Sequence, residues 1–211
     1  MRTLGILLAG GQGTRLGADT PKALATCAGR TLLARAMATL STACDAVVVV
    51  APAGLDLPVA TLLRVADPPD AAGPLAALVA GLASPAGRAC DEALVLAVDM
   101  PLLLPATLMA LRALRGAAVA VVPAPGGIPQ PLAAWYTPRA LAPLDTALAA
   151  GERSPSRAVS ALAPAIAGDE VLATLPGGLD AWLNVNTRAE LEEATRRLED
   201  AERRHPSGKP A

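Results

Sequence analysis

Apolar runs of strand length alternate with longer helical patterns along this chain. The runs are Thr3 to Leu8, Ala46 to Val50, Glu92 to Val98, Val119 to Val122 and Leu132 to Tyr136. The second contains Val47-Val48-Val49-Val50, a β-branched run with no polar alternation, which suits a strand covered on both faces. Apolar positions at helical spacing fall between the runs, over Thr31 to Leu40, Pro74 to Ala83, Pro105 to Leu114 and Pro138 to Ala150. This βαβα rhythm predicts an α/β fold in three layers, a mainly parallel sheet with helices on both faces. Ligands of such sheets sit beyond the carboxyl ends of the strands, so the residues just after each strand carry the chemistry. A last helix is predicted over Arg188 to Arg204, with Asn186 or Thr187 as N-cap and Glu190 as the capping-box acid for Thr187. Its i,i+4 charges, Glu192 with Arg196 and Glu193 with Arg197, read as a solvated face.

Composition narrows the function classes. The 211 residues carry 18 Lys+Arg and 19 Asp+Glu, a near balance that argues against a broad electrostatic surface for nucleic acid. Aromatic residues are 1% of the chain, which leaves almost nothing for bases to stack on. The chain is 53% hydrophobic, yet its longest apolar stretch, Ala93 to Leu114, is interrupted by Asp99, Pro101 and Pro105, so no membrane span is expected. The run Leu4 to Ala9 is short for a signal peptide and leads straight into glycines, so a cytoplasmic protein is expected. Cys27, Cys44 and Cys90 are odd in number and widely spaced, which suits neither a disulfide framework nor a structural zinc site. With no repeat and no linker, residues 1–204 read as one domain and 205–211 as a flexible tail.

The first strand runs into Leu8-Ala9-Gly10-Gly11-Gln12-Gly13-Thr14-Arg15-Leu16-Gly17. Glycines let backbone N–H groups approach phosphate oxygens closely, although a tight βα turn needs them equally. The loop is not a Walker motif, because Gly17 is followed by Ala18-Asp19 instead of Lys-Ser/Thr. It also lacks the dinucleotide fingerprint, since Leu16 stands where the third glycine belongs and Ala51-Pro52 follow the second strand in place of an acid. Arg15 and Lys22 add two cations near the glycines, with Pro21 stiffening the approach to Lys22. Arg forks across phosphate oxygens and Lys acts as a point charge. Beside a glycine loop, they favour a phosphate site over two exposed surface charges.

Acids and amides follow other strands. Asp99, in Asp99-Met100-Pro101, emerges from the central strand where a carboxylate is well sited to share Mg²⁺ with substrate phosphates; the competing role is a turn or cap before Pro101. Asp67, before Pro68-Pro69, fits an Asx turn as well as a ligand contact. In Trp182-Leu183-Asn184-Val185-Asn186-Thr187, an extended reading puts Asn184 and Asn186 on one face, and either amide also suits a helix cap.

Taken in order, Leu8-Ala9-Gly10-Gly11, Arg15-Leu16-Gly17, Pro21-Lys22 and Asp99-Met100-Pro101-Leu102 resemble the pyrophosphorylase-type nucleotidyltransferases. Gln130-Pro131-Leu132, Gly151-Glu152-Arg153-Ser154 and Asn184-Val185-Asn186-Thr187 with Glu190-Leu191 bring the resemblance, which spans most of the chain, to the molybdenum cofactor guanylyltransferases. That resemblance implies a Rossmann-like nucleotidyltransferase fold, GTP with Mg²⁺, and transfer of GMP to the phosphate of metal-bearing molybdopterin. It implies that Leu8, Ala9, Gly10, Gly11 and Gly13 contact the nucleotide, Lys22 its phosphates, Asp67 the nucleotide, and Asp99 the Mg²⁺. Asn186 would complete the metal site or hold the second substrate, and Asn184, Gln130 and Arg153 would lie toward the pterin side. A transient partner delivering molybdopterin belongs to the same expectation. Two departures leave the base open between GTP and CTP: Thr20-Pro21-Lys22 replaces the usual Asp-Lys pair, and Ala51-Pro52 stands where guanylyl enzymes often carry Asn. A cytidylyltransferase acting on molybdopterin or methylerythritol phosphate is the alternative.

The chemistry expected is in-line attack of a phosphate oxygen on the α-phosphorus, with Arg15, Lys22 and Asp99 as the catalytic residues. Such transfer rests on positioning and charge neutralisation, and needs no protein nucleophile. The one histidine, His205, lies in the charged tail and offers no Ser-His-Asp arrangement. A regulatory module that binds nucleotide without catalysis is the rival from another class.

Overall fold

The computed structural model describes residues 1–10, 21–52, 54, 63–66 and 73–204. The strands are β1 (Thr3–Leu8), β2 (Thr26–Cys27), β3 (Arg30–Thr31), β4 (Ala46–Ala51), β5 (Leu63–Ala66), β6 (Glu92–Ala97), β7 (Ala120–Pro123), β8 (Ala133–Tyr136) and β9 (Ala165–Ala167). The helices are α1 (Leu32–Ala43), α2 (Pro74–Ala83), α3 (Pro85–Ala89), α4 (Pro105–Ala113), α5 (Leu141–Ala149), α6 (Pro155–Ser160), α7 (Asp169–Leu172) and α8 (Arg188–Arg204). Among the described residues, no helix is long and apolar enough to cross a membrane.

Local chemistry sets the helix starts. The Thr31 hydroxyl accepts the Ala34 N–H at 3.1 Å to cap α1. The helices α2, α3, α4 and α6 each open on a proline, whose fixed φ suits the first helical position and whose missing N–H would have no intrahelical partner there. The predicted helix over Pro138 to Ala150 is in fact a 3₁₀ turn, Pro138–Ala140, followed by α5.

Seven strands form one sheet in the order β5-β4-β1-β6-β8-β7-β9. The strands β5, β4, β1 and β6 are parallel, and β4, β1 and β6 carry the apolar runs expected of strands covered on both faces. In contrast, β8 runs antiparallel to both neighbours. The reason is the short link 124–132 from β7, which holds only a 3₁₀ turn at Pro125–Gly127; a parallel return needs a longer crossover.

Side chains of alternate sign along the strands build a core on each face. Leu7, Val49, Leu94, Val121 and Trp135 bury against α1, α4 and α8. Ile6, Val48, Val50, Val95 and Tyr136 bury against α2, α5 and α6. The helix α2 lies very close to β1, since a Cβ at Gly81 would fall 2.4 Å from Ile6 Cγ2. The three-layer expectation therefore holds.

From β1 the chain steps outward to β4 and β5, then returns to place β6 on the other side of β1. This reversal opens a crevice at the carboxyl ends of β1 and β6. Leu8, Ala9 and Gly10 leave β1 at that point and Asp99 leaves β6 there.

Candidate active site

Three polar side chains from distant parts of the sequence converge beyond β6. The Lys22 ammonium lies 2.8 Å from Asp99 Oδ2 and 2.8 Å from Asn186 Oδ1. Lys22 opens a 3₁₀ turn, Lys22–Leu24, that Pro21 enters in an extended conformation. Its side chain is only 12% exposed and that of Asp99 only 19%, so their charge-assisted bond is screened less than a surface pair.

Asp99 is held from its backbone side as well. Its carbonyl accepts the Val185 N–H at 2.8 Å, which ties the stretch 183–187 to the end of β6. That stretch follows a 3₁₀ turn, Leu179–Trp182, and leads into α8. There the Glu190 carboxylate accepts the N–H groups of Asn186 and Thr187 at 2.7 and 2.8 Å, while the Thr187 hydroxyl accepts the Glu190 N–H at 3.3 Å. The predicted capping box is present and reaches one residue further than expected, to Asn186. Those N–H bonds, the Asn186 one foremost, hold the Glu190 carboxyl below the usual carboxylate range, and the Lys22 charge adds to the effect.

Beside Asp99 opens a cleft of about 290 Å³. Asp99, Gln130, Asn184 and Ser156 supply its polar lining, with Met100, Ile128 and prolines as apolar walls. Asn184 Oδ1 is buried with no hydrogen-bond partner among the described residues. A buried acceptor beside a cleft is costly unless a bound group donates to it.

The structure brings Lys22, Asp99 and Asn186 together, and Asp99, Asn184 and Gln130 line the adjoining cleft. At the foot of the crevice, the Ala9 N–H donates to Val50 and the Leu8 carbonyl accepts from Val98, so the glycine segment starts between β4 and β6. Arg153 is not brought to the cleft. Its guanidinium donates to the carbonyls of Leu148 and Glu152 at 3.0 and 2.9 Å, by the carboxyl end of α5, where the helix dipole favours a cation. Gly11, Gly13, Arg15 and Asp67 lie outside the described residues. Ser156 and the reach of Glu190 to Asn186 were not anticipated, since a serine in a short helix gives no pattern and a capping box is read only for its helix.

The oxygen atoms around Lys22 suit a hard cation. Asp99 and Asn186 already present a carboxylate and an amide oxygen to one positive centre, and Mg²⁺ takes such oxygens together with substrate phosphates and water. No cluster of three or more His, Cys, Asp or Glu occurs among the described residues, so an all-protein metal cage of that kind is not what they offer.

The chain is similar to known proteins. Residues 5–167 match the family model of a MobA-like NTP transferase domain. A probable molybdenum cofactor guanylyltransferase of Chloroflexus aggregans is 38% identical over 200 residues, covering 91% of this chain and 93% of its own. A 2-C-methyl-D-erythritol 4-phosphate cytidylyltransferase of Deinococcus radiodurans is 54% identical, but over 57 residues, 27% of this chain and 24% of its own. The fold is that of molybdopterin-guanine dinucleotide biosynthesis protein A from Archaeoglobus fulgidus, with a TM-score of 0.73, 22% identity and coverage of 93% and 99%. With a family model matched over most of its length and a relative aligned nearly end to end, the chain belongs to the MobA-like NTP transferase family of nucleotidyltransferases.

Proposed function

We propose that this protein transfers GMP from GTP to the phosphate of metal-bearing molybdopterin and releases pyrophosphate. The observation that carries the reading is the meeting of Lys22, Asp99 and Asn186 at the carboxyl ends of β1 and β6, supported by relatives named for this activity. In the reaction an acceptor phosphate oxygen forms a bond to the α-phosphorus of GTP, and the bond from that phosphorus to the bridging oxygen breaks. The chain's share is to bind, align and neutralise.

Leu8 to Gly11, Gly13 and Asp67 would cradle the nucleotide, with Arg15 and Lys22 against its phosphates. Asp99, with Asn186 beside it, would hold Mg²⁺, which when bound supplies positive charge against the triphosphate. Gln130 and Asn184 would face the acceptor in the adjoining cleft, where Asn184 Oδ1, without a partner among the described residues, suits a donor on the pterin. Arg153, engaged by α5, is left out of that set. Residues 1–204 would act as one catalytic domain, and a transient partner would bring the acceptor.

The test is thermal stabilisation by GTP, CTP, ATP and UTP with Mg²⁺. GTP near a hundred times its Kd is expected to raise Tm by about 5–10 °C, with the other bases well below. A preference for CTP would favour the cytidylyl alternative, whose sequence support is confined to about a quarter of the chain. No shift with any nucleotide would refute the reading.

A further inference from the structure

We propose that Glu190 is a positioning residue of this active site, holding through the main chain of Asn186 the amide oxygen that fixes Lys22 beside Asp99. The inference rests on the nucleotidyl-transfer reading above and assigns Glu190 a part in it. Its basis is a division of labour inside one capping box. One half is the Thr187 hydroxyl, which accepts the Glu190 N–H and serves only the start of α8. The other half is the Glu190 carboxylate, which accepts two N–H groups, and one of these belongs to Asn186, outside the helix.

Asn186 has no helical frame of its own. Its side chain is exposed, its backbone lies between the 3₁₀ turn ending at Trp182 and the first residue of α8, and its Oδ1 must meet Lys22 Nζ at 2.8 Å. On its two sides Val185 N–H bonds the Asp99 carbonyl and Thr187 bonds the first turn of α8, while the N–H of Asn186 itself is held by Glu190. Removing the Glu190 carboxylate leaves the Asn186 N–H without that bond and loosens the backbone that aims the amide. A displacement of about 1 Å at a reacting centre costs on the order of a hundredfold in rate, so loosening this residue is felt in turnover.

The box supplies its own control. Thr187→Ala removes the half that serves only the helix, and Glu190→Ala removes the half that also holds Asn186. Each is expected to lower Tm by about 2–4 °C, the ordinary effect of losing a helix cap. Only Glu190→Ala should lower kcat for pyrophosphate release, by tenfold or more, with a smaller change in KM for GTP and a weaker Mg²⁺-dependent GTP affinity by calorimetry. Thr187→Ala should keep both near wild type. Glu190→Gln, which retains an oxygen acceptor without the charge, should fall about threefold in kcat.

Equal kcat losses in Thr187→Ala and Glu190→Ala would overturn the proposal and leave Glu190 a helix cap. Should Glu190→Ala not fold, Glu190→Gln against Thr187→Ala decides in the same way, equal values overturning it. Wild-type protein that neither binds GTP nor releases pyrophosphate marks failure of the transfer reading itself, and the proposal falls with it. Wild-type turnover with matched variants marks failure of the proposal alone.

Discussion

Asp99 makes two bonds with different parts of itself, and they separate structure from chemistry. Its carbonyl holds Val185 and its carboxylate holds Lys22. Asp99→Asn keeps the first bond and the shape of the second while removing the charge. We expect kcat to fall at least a hundredfold with Tm within about 2 °C of wild type, as measured by pyrophosphate release and thermal melting. Full activity in that variant would remove the carboxylate from the mechanism. At this scale the sequence was informative where a residue type has few uses in its place, as with Lys22 after a proline and Asp99 after a buried strand. It was ambiguous for Asn186, because a helix start and a polar site ask for the same amide. It gives no sign of the bonds of Arg153, since a motif preserves a side chain's identity and says nothing of the Leu148 and Glu152 carbonyls that its guanidinium meets.

At the scale of elements, carboxylates hold several junctions and tie stability to pH. Glu190 anchors the start of α8, and Glu152 accepts from Arg157 and from the N–H groups of Arg153 and Ser154 between α5 and α6. Hydrogen bonding holds the Glu190 carboxyl low, and the Arg157 bond leads those that hold Glu152 at about 2. Both stay ionised in the folded chain at pH values where the unfolded chain has begun to take up protons. Their stabilisation is therefore complete above the unfolded value of 4.5 and drains as pH falls below it, for Glu152 until about pH 2. Tm measured from pH 6 down to pH 3 should be level at first and then fall. Glu152→Gln should flatten part of that fall, and an unchanged slope would contradict the assignment. These junctions were only partly legible, because the α8 box has a spacing signature whereas α6 is too short to show a period.

Across the whole molecule, the sheet separates a stability end from a functional end. At the amino end of β6, buried Glu92 pairs with Arg112 and Arg115, and the Arg112 guanidinium lies 5.1 Å from the centroid of the Trp135 ring. Glu92→Gln leaves two arginines without their shared counter-charge and should cost about 3 kcal/mol, the lower range for breaking a buried pair. Chemical denaturation should show that loss, while kcat at a temperature where the variant is folded should stay near wild type, because the crevice lies at the opposite end of the strand. The parallel half of the sheet was legible because strands buried on both faces leave continuous apolar runs such as Val47 to Val50. The reversal at β8 was not, since direction is set by the length of the 124–132 link and leaves no mark on the apolar pattern of Ala133–Tyr136. β5 shows in the sequence only as the short apolar run before Asp67 and β9 not at all, because edge strands of this length, Leu63–Ala66 and Ala165–Ala167, are partly exposed and carry little periodicity. What unites both halves is the crevice they frame around Lys22, Asp99 and Asn186, the proposed place of nucleotide transfer. The most direct measurement incubates the protein with GTP, Mg²⁺ and molybdopterin carrying its metal, and follows pyrophosphate and the guanine dinucleotide product together. One pyrophosphate per dinucleotide formed is expected, with GTP strongly preferred over CTP; product formed only from CTP, or GTP bound without any pyrophosphate released, would rule out GMP transfer by this protein.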